Sequence, residues 1–268
     1  MNAGAAISSF SVAAPIIDLP AMGQSASGRR WRLREANEAT AAAIADACRL
    51  DPVLARILAA RGISEADAGA YLKPSLREAM PDPNVLTDME QACARLAKAI
   101  RDGETIGVFG DYDVDGATAA AMLKLYFDAI GVASLIYLPD RITEGYGPSA
   151  EAFRALGQQG ASVIVTVDCG AAAHVPIEEA AKDGIDIVVF DHHQMSSPAP
   201  EGAVAVVNPN RPDDLSGLGG LSAAGVVFMG LAALNRALLA EGFFKERQEP
   251  SHGRAGPESA RRGRESGT

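Results

Sequence analysis

Short apolar runs and helical stretches alternate through the middle of the chain. Five runs have the length and the Val and Ile content of buried strands, at residues 106–109, 135–138, 163–167, 187–190 and 204–207. Apolar residues at helical spacing predict helices at about 88–102, 117–130, 149–156 and 177–182. Strands that alternate with helices form a mostly parallel sheet with helices on both faces, so the pattern predicts an α/β fold.

The regions on either side of this alternation have a different composition. Residues 1–30 are rich in Ala, Ser and Gly, and the tail 244–268 is dominated by Arg, Glu, Gly, Ser and Pro. Both regions are expected to be disordered, because they offer little apolar surface to bury. A lead-in at 31–83 is expected to contain two short helices and a proline-punctuated connector, and the α/β domain then occupies 84–243.

The overall composition is that of a folded chain, since 48% of its residues are hydrophobic. A last helix is expected from about Ser222 to Ala240, and the longest apolar run, near 223–234, is too short to span a bilayer. The first 20 residues lack the basic start of a secretory signal. Three scattered cysteines argue against a disulfide framework or a zinc knuckle and fit a reducing cytoplasm.

The charge balance bears on the choice of partner. The chain has 24 Lys and Arg residues against 34 Asp and Glu residues, a net charge of −10. Modules dedicated to DNA binding are usually basic. If the chain acts on DNA, most of the surface that contacts the phosphate backbone is therefore expected to lie outside it, and the excess acid suits metal binding better.

An acidic cluster, Asp-Tyr-Asp-Val-Asp-Gly at 111–116, follows the first predicted strand. Two like charges about 5 Å apart repel by roughly 3 kcal/mol at an effective dielectric of about 20, and a bound cation removes that cost. A solvated acidic turn is the simplest alternative. A calcium-binding EF-hand loop is a second one, but Met122 stands where the loop needs a bidentate Glu, and a strand rather than a helix leads in.

Two further polar clusters also follow predicted strands. Asp168 stands in Val-Asp-Cys-Gly after the third strand, and Asp191, His192 and His193 follow the fourth. The carboxyl ends of parallel strands meet at one edge of a sheet, where ligands bind. Carboxylates combined with imidazole suit manganese or magnesium ions, with histidine favouring manganese.

In this order, the three clusters resemble the successive motifs of the Asp-His-His phosphoesterase family. Within it, Arg141 with Glu-Gly-Tyr-Gly at 144–147 is similar to a motif of the RecJ-type exonucleases, as are Tyr-Leu-Lys-Pro-Ser-Leu at 71–76, Asn-Pro-Asn at 208–210 and Ala-Ala-Gly-Val at 223–226. The resemblance covers about 39–242. It implies a metal-dependent phosphodiesterase that acts on single-stranded DNA in the 5′-to-3′ direction, in DNA repair and recombination.

The resemblance also implies roles for individual residues. The metal ligands are Asp111, Asp113, Asp168 and His192, with Asp168 between two Mn²⁺ or Mg²⁺ ions. It also implies that His193 contacts the scissile phosphate or protonates the leaving oxygen.

Outside the metal ligands, the candidates for contact with the phosphate backbone are Arg141, Gly145, Tyr146 and Gly147. Asp191 is expected to orient a histidine without contacting the metal itself. Asp115 is expected to cap the helix that starts near Ala117, because its side chain can accept from the free N–H groups there.

One part of the family pattern has no counterpart in this sequence. The family supplies a further metal-binding Asp from a later segment, and this chain has no Asp after Asp214. We therefore expect a shortened form of the enzyme with weak or no activity of its own, or a short form that another chain completes. Two other functions stay open: a small phosphoesterase acting on short oligonucleotides or pyrophosphate-like substrates, and a non-catalytic module that binds metal or an unknown protein partner.

Overall fold

The computed structural model describes residues 16–18, 27–29 and 32–245. The chain divides into two compact units, Met1–Pro81 and Asp82–Thr268. The predicted tail 244–268 lies outside the described residues from 246 onward, and Phe243–Lys245 forms a 3₁₀ turn in which Phe244 is buried.

The described residues of the first unit form four helices and a short strand pair. β1 (Ile16–Asp18), which lies in the segment 1–30 that was expected to be disordered, pairs antiparallel with β2 (Arg32–Arg34). The helices are α1 (Glu38–Cys48), α2 (Pro52–Ala60), α3 (Glu65–Leu72) and the single turn α4 (Leu76–Ala79). The prediction of two helices was wrong here, because Ser64 caps a third one by accepting from the Asp67 N–H group at 3.2 Å. The core of this unit is small: Ile44, Ala55, Leu58 and Ala68.

The second unit contains a five-stranded parallel sheet in the order β4-β3-β5-β6-β7. The strands are β3 (Thr105–Gly110), β4 (Ser134–Tyr137), β5 (Ala161–Val167), β6 (Asp186–Phe190) and β7 (Ala205–Val207). The helices are α5 (Met89–Asp102), α6 (Val114–Ala129), α7 (Ala150–Gln158), α8 (His174–Lys182) and α9 (Ala223–Ala240). The predicted α/β fold and its strand–helix alternation are confirmed.

Both faces of this sheet are covered. Val189 packs in one core cluster with Ile177 and Ala180 of α8, and its neighbour Phe190 points to the opposite face, where it contacts Gly230 of α9. A side chain at Gly230 would have its Cβ only 2.8 Å from the Phe190 ring, so glycine allows α9 to approach the sheet closely. The strands are buried on both sides, which explains their nearly continuous apolar sequences.

Helix α9 is longer than its apolar run suggested. Its 18 residues have the length and the mean hydropathy, 1.7, of a segment that can cross a membrane, so the prediction that it is too short was wrong. Its Val226, Val227, Leu234 and Leu238 side chains are buried within the unit. This burial is the pattern of a helix in a protein core.

Candidate metal centre

Three acidic residues leave the sheet from neighbouring strands at the same edge. The backbone N–H group of Asp111, after β3, donates to Val167 O at 3.2 Å, and that of Asp168, after β5, donates to Phe190 O at 3.0 Å. In the same way, the Asp191 N–H group, after β6, donates to Val207 O at 3.1 Å. Each site residue is thus one further rung of the parallel ladder, which places its side chain beyond the carboxyl end of its strand.

Asp168 lies at the centre of the cluster. It is 2% exposed, and its Oδ1 atom has no hydrogen-bond partner among the described residues. Burial, the hydrogen bond with Asp113 and the charges of Asp113 and Asp115 raise the pKa of Asp168 to about 7. A buried carboxylate oxygen without a partner is costly, and a bound cation is one means of satisfying it.

Two groups of potential ligand atoms share Asp168. One consists of Asp111, Asp113 and Asp168, the other of Asp168, His192 and His193, and within each group the ligand atoms lie within 4.8 Å of one another. Burial raises the pKa of Asp111, whereas the hydrogen bond from the Gly116 N–H group lowers the pKa of Asp113. The geometry therefore offers two adjacent cation positions with one carboxylate between them.

The imidazole of His192 presents its Nε2 atom to this cluster. Its Nδ1 atom lies 3.1 Å from Leu221 O, and a carbonyl oxygen only accepts, so Nδ1 carries a proton. The Nε2 atom faces Asp168 Oδ1 at 3.1 Å. A proton or a metal cation between these two atoms makes the contact favourable. The donor set fits a divalent metal ion.

The second histidine is held by Asp191. Asp191 Oδ1 lies 2.7 Å from His193 Nδ1 and also accepts from the backbone N–H groups of His192 and His193, at 2.7 and 3.1 Å. Burial opposes protonation of His193, but the hydrogen bond to Asp191 and the nearby carboxylates outweigh it and raise its pKa. Asp191 thus lies behind His193, and the ring stays 49% exposed toward the open side of the cluster.

The first acidic loop differs from expectation at Asp115. The N-cap of α6 is Asp113, whose Oδ1 atom accepts from the N–H groups of Asp115 and Gly116 at 2.9 and 3.0 Å. The expectation that Asp115 caps this helix was wrong, because the helix begins at Val114, upstream of Ala117. The Asp115 carboxylate instead accepts from the first two N–H groups of α9.

The candidate phosphate contacts form an aromatic rim beside the cluster. The Arg141 guanidinium lies 5.1 Å from the centre of the Tyr112 ring, and Tyr112 packs edge to face on Tyr146 with ring centres 6.5 Å apart. Burial and the charges of Asp111 and Asp191 raise the pKa of Tyr146 to about 12. Gly145 and Gly147 have φ values of 85° and 81°, so the turn that presents Tyr146 requires left-handed backbone.

Sequence reasoning assigned no role to three residues that hold the histidines. The Asn208 amide donates to His193 O at 2.9 Å, and the Asn210 amide donates to His192 O at 2.5 Å. The third residue, Leu221, contacts His192 through its backbone carbonyl, and a backbone contact cannot be recognised from the residue type. The Asn-Pro-Asn segment was visible in the sequence only as a point of resemblance.

Comparison with known families agrees with this arrangement. The sequence model of the DHH family, N-terminal domain, matches residues 105–250, which include every candidate ligand. The chain belongs to the DHH family. Its match begins at the first residue of β3 and runs through all three loops of the cluster.

The chain is similar to the single-stranded-DNA-specific exonuclease RecJ of two bacteria. The one from Escherichia coli is 37% identical over 199 residues, which are 74% of this chain and 34% of that protein. The one from Bacillus subtilis is 31% identical over 216 residues, 81% of this chain and 27% of that protein. The chain therefore spans about a third of the length of these curated relatives.

Solved structures with the same fold contain manganese. RecJ in complex with Mn²⁺ from Thermus thermophilus superposes with a TM-score of 0.62 at 28% identity, covering 77% of this chain and 28% of that one. An exonuclease RecJ bound to manganese gives a TM-score of 0.51 at 34% identity, covering 57% of this chain and 38% of that one.

Proposed function

We propose that this chain is a metal-dependent phosphodiesterase of the RecJ type, which acts on single-stranded DNA in the cytoplasm, in repair and recombination. The observation that carries the proposal is the position of Asp168, whose buried Oδ1 atom has no hydrogen-bond partner among the described residues and lies 3.1 Å from the Nε2 atom of His192. A buried carboxylate oxygen of this kind is costly unless a positive charge satisfies it. A divalent cation does so, and two of the similar solved structures contain manganese.

The metal ligands in this proposal are Asp111, Asp113, Asp168 and His192. When bound, a pair of divalent ions supplies an activated water and offsets charge on the attacking and leaving oxygens. The protein's part is to hold these ligands at fixed positions, and each of them stands shortly beyond a strand end. Negative or lone-pair groups held together without metal repel one another, so the apo protein is expected to be less stable than the loaded one.

His193 is the proposed proton donor. Its Nδ1 atom is engaged with Asp191, which leaves Nε2 as the atom available to the substrate. Hydrolysis breaks the bond between phosphorus and the 3′ oxygen of the terminal nucleotide, and water provides the new oxygen on phosphorus. The released 3′ oxygen then takes a proton from His193 Nε2. The raised pKa of His193 keeps a larger fraction of the imidazole protonated at neutral pH.

Arg141 and the turn containing Gly145, Tyr146 and Gly147 are the proposed contacts for the DNA strand. A guanidinium suits phosphate oxygens, and an exposed aromatic ring suits an unpaired base. Tyr146 is 64% exposed and its ring borders the acidic cluster through Tyr112. A strand passing over this rim brings its terminal phosphate toward the cluster.

The test measures metal binding and DNA cleavage in parallel. Calorimetry on the metal-free chain follows Mn²⁺ binding, and 5′-labelled single strands are then cleaved with the protein in excess over DNA, so that weak turnover is detected. Asp168→Asn is expected to abolish both signals. Asp46→Asn is the control, because Asp46 is an exposed residue of α1 in the first unit, and it is expected to preserve both signals.

Each other outcome contradicts a defined part of the proposal. Absence of Mn²⁺ binding, or binding that Asp168→Asn leaves unchanged, contradicts the metal centre. Tight binding without cleavage of any phosphodiester contradicts hydrolysis by this chain alone, which leaves a form that another chain completes or a non-catalytic module. Cleavage of short oligonucleotides or pyrophosphate, with long strands left intact, favours a small phosphoesterase over an exonuclease.

A further inference from the structure

We propose that Asp115 is a positioning residue, which sets the tautomer and the orientation of His192 through the N-terminus of α9. The inference rests on the proposed function only in treating His192 as a metal ligand. Its subject is a contact between two elements that are far apart in the chain.

Both carboxylate oxygens of Asp115 are occupied by α9. Oδ2 accepts from the Ala223 N–H group at 2.8 Å and Oδ1 accepts from the Ala224 N–H group at 2.9 Å. These are two of the N–H groups that a helix leaves without intrahelical partners, and a negative charge there is favourable. Asp115 belongs to neither group of clustered ligand atoms in the described part of the chain, although its Oδ2 atom lies 3.7 Å from His192 Nε2.

The N-terminus held in this way carries the carbonyl that contacts His192. Leu221 lies two residues before Ala223, and its oxygen accepts from His192 Nδ1 at 3.1 Å. Ser222 lies between them as the N-cap of α9, with its hydroxyl oxygen accepting from the Gly225 N–H group at 3.2 Å. The position of the Leu221 carbonyl is therefore tied to the same backbone that Asp115 holds.

The Leu221 carbonyl competes with Asp168 for the proton of His192. If the carbonyl moves away, the favourable alternative for a neutral imidazole is to carry the proton on Nε2 and donate it to Asp168 Oδ1, 3.1 Å away. That hydrogen bond satisfies Asp168 and removes the lone pair that a metal ion needs. Asp115 thus favours the metal-binding tautomer through the Leu221 carbonyl.

The test compares two caps of the same helix. Asp115→Ala removes the contact with Ala223 and Ala224, and Ser222→Ala removes the contact with Gly225 while leaving Asp115 in place. Nitrogen-15 NMR of the imidazole in the metal-free chain reports the His192 tautomer, and calorimetry reports Mn²⁺ affinity. Thermal melts follow the stability of every variant.

In Asp115→Ala we expect signal from the Nε2-protonated form and an Mn²⁺ affinity about 10- to 100-fold lower, the usual effect of losing a residue that orients a ligand. In Ser222→Ala we expect a lower melting temperature with an unchanged tautomer and unchanged affinity. Asp115→Asn keeps one acceptor oxygen and is expected to give an intermediate result; it replaces the alanine variant if that variant does not fold.

Two results overturn the inference. In the first, Asp115→Ala loses Mn²⁺ affinity while His192 keeps its proton on Nδ1, which means that Asp115 is itself a metal ligand. The other is an Asp115→Ala variant with native tautomer and native affinity. The tautomer is measured without metal, so the NMR comparison stays valid even if the unmodified chain does not bind Mn²⁺. Such a failure contradicts the proposed function alone.

Discussion

Asp191 Oδ1 lies 2.7 Å from His193 Nδ1, and the same oxygen accepts from the backbone N–H groups of both adjacent histidines. Its second oxygen accepts from the Ala171 N–H group at 3.0 Å, so one buried carboxylate joins the loop after β6 to the loop after β5. This side chain therefore adds to the backbone hydrogen bond from Asp168 to Phe190 in fixing the relative position of the two loops.

Replacing Asp191 with Asn is expected to lower the pKa of His193. The negative charge and hydrogen bond of Asp191 raise that pKa, so an uncharged amide stabilises the imidazolium less. The amide NH₂ group of Asn would also face the Ala171 N–H group. Two donors cannot form a hydrogen bond, so the free energy of unfolding is expected to fall by about 1–3 kcal/mol. NMR titration of the metal-free chain and urea unfolding measure the two effects. An unchanged His193 pKa contradicts the assignment, and Asp183→Asn, in the exposed ion pair with Arg154, serves as the control.

The cluster of Arg95, Glu104 and Asp186 is expected to make stability depend on pH. The hydrogen bond from Arg95 lowers the pKa of Glu104 below its value in the unfolded chain, and the Arg95 and Glu104 side chains are 13% and 17% exposed. The stabilisation is thus fully present above the unfolded pKa and is lost as pH falls through the folded one.

The corresponding variant is Glu104→Gln. We expect this variant to lower the free energy of unfolding by about 1–3 kcal/mol at pH 7. Below about pH 4 the difference in this free energy between the variant and the unmodified chain is expected to become smaller. Urea unfolding across pH measures this difference. Glu179→Gln, in the exposed pair with Arg154, is expected to change stability by less than about 1 kcal/mol at either pH. A constant deficit for Glu104→Gln from pH 3 to pH 7 contradicts the electrostatic explanation.

Gly116 allows α6 to pack directly on the backbone of Asp111. A Cβ atom at this position would lie 2.5 Å from Asp111 O and 2.8 Å from Asp111 N. Gly116→Ala is therefore expected to destabilise the protein by about 1–3 kcal/mol and to weaken Mn²⁺ binding, since Asp111 must move. Gly69→Ala, in α3 with open space around it, is the matched control and is expected to be neutral or slightly stabilising. Native Mn²⁺ affinity in Gly116→Ala counts against Asp111 as a ligand.

Arg141→Ala is expected to weaken binding of single-stranded DNA while leaving Mn²⁺ affinity unchanged. Arg141 stacks on Tyr112 at the rim and belongs to neither ligand group. Loss of one phosphate contact reduces the slope of log affinity against log salt by about one. Fluorescence anisotropy with a labelled strand at several salt concentrations measures this slope. An unchanged slope places Arg141 outside the DNA path, and Arg154→Ala, whose guanidinium pairs with Glu179 and Asp183, is the control.

The sequence predicted the sheet and the convergence of its three loops because both follow from local patterns. Buried parallel strands are continuous apolar runs, and a polar residue directly after such a run lies at the carboxyl edge of the sheet. Asp111, Asp168 and His192 could therefore be placed near one another from spacing alone. Helix α3 was missed because its apolar pattern is weak and only Ser64 indicates its start.

The contacts that hold the histidines could not be predicted in this way. Asp115 contacts Ala223 across 108 positions, and the partner of His192 Nδ1 is a backbone carbonyl. Every residue has a carbonyl, so no residue type in the sequence indicates which one is used. The choice between α6 and α9 as the helix that Asp115 caps depends on how the helices pack.

The rungs that Asp111, Asp168 and Asp191 add to the sheet also fix the spacing of the three loops. Neighbouring strands in any sheet lie about 4.8 Å apart, a distance that backbone hydrogen bonds impose whatever the side chains are. Residues that leave from adjacent strands inherit this interval at their Cα atoms, so the spacing of the loops that carry the candidate ligands is a property of the peptide backbone. Contacts from the flanking helices, such as that of Gly116 with Asp111, then decide how each side chain is placed on this spacing.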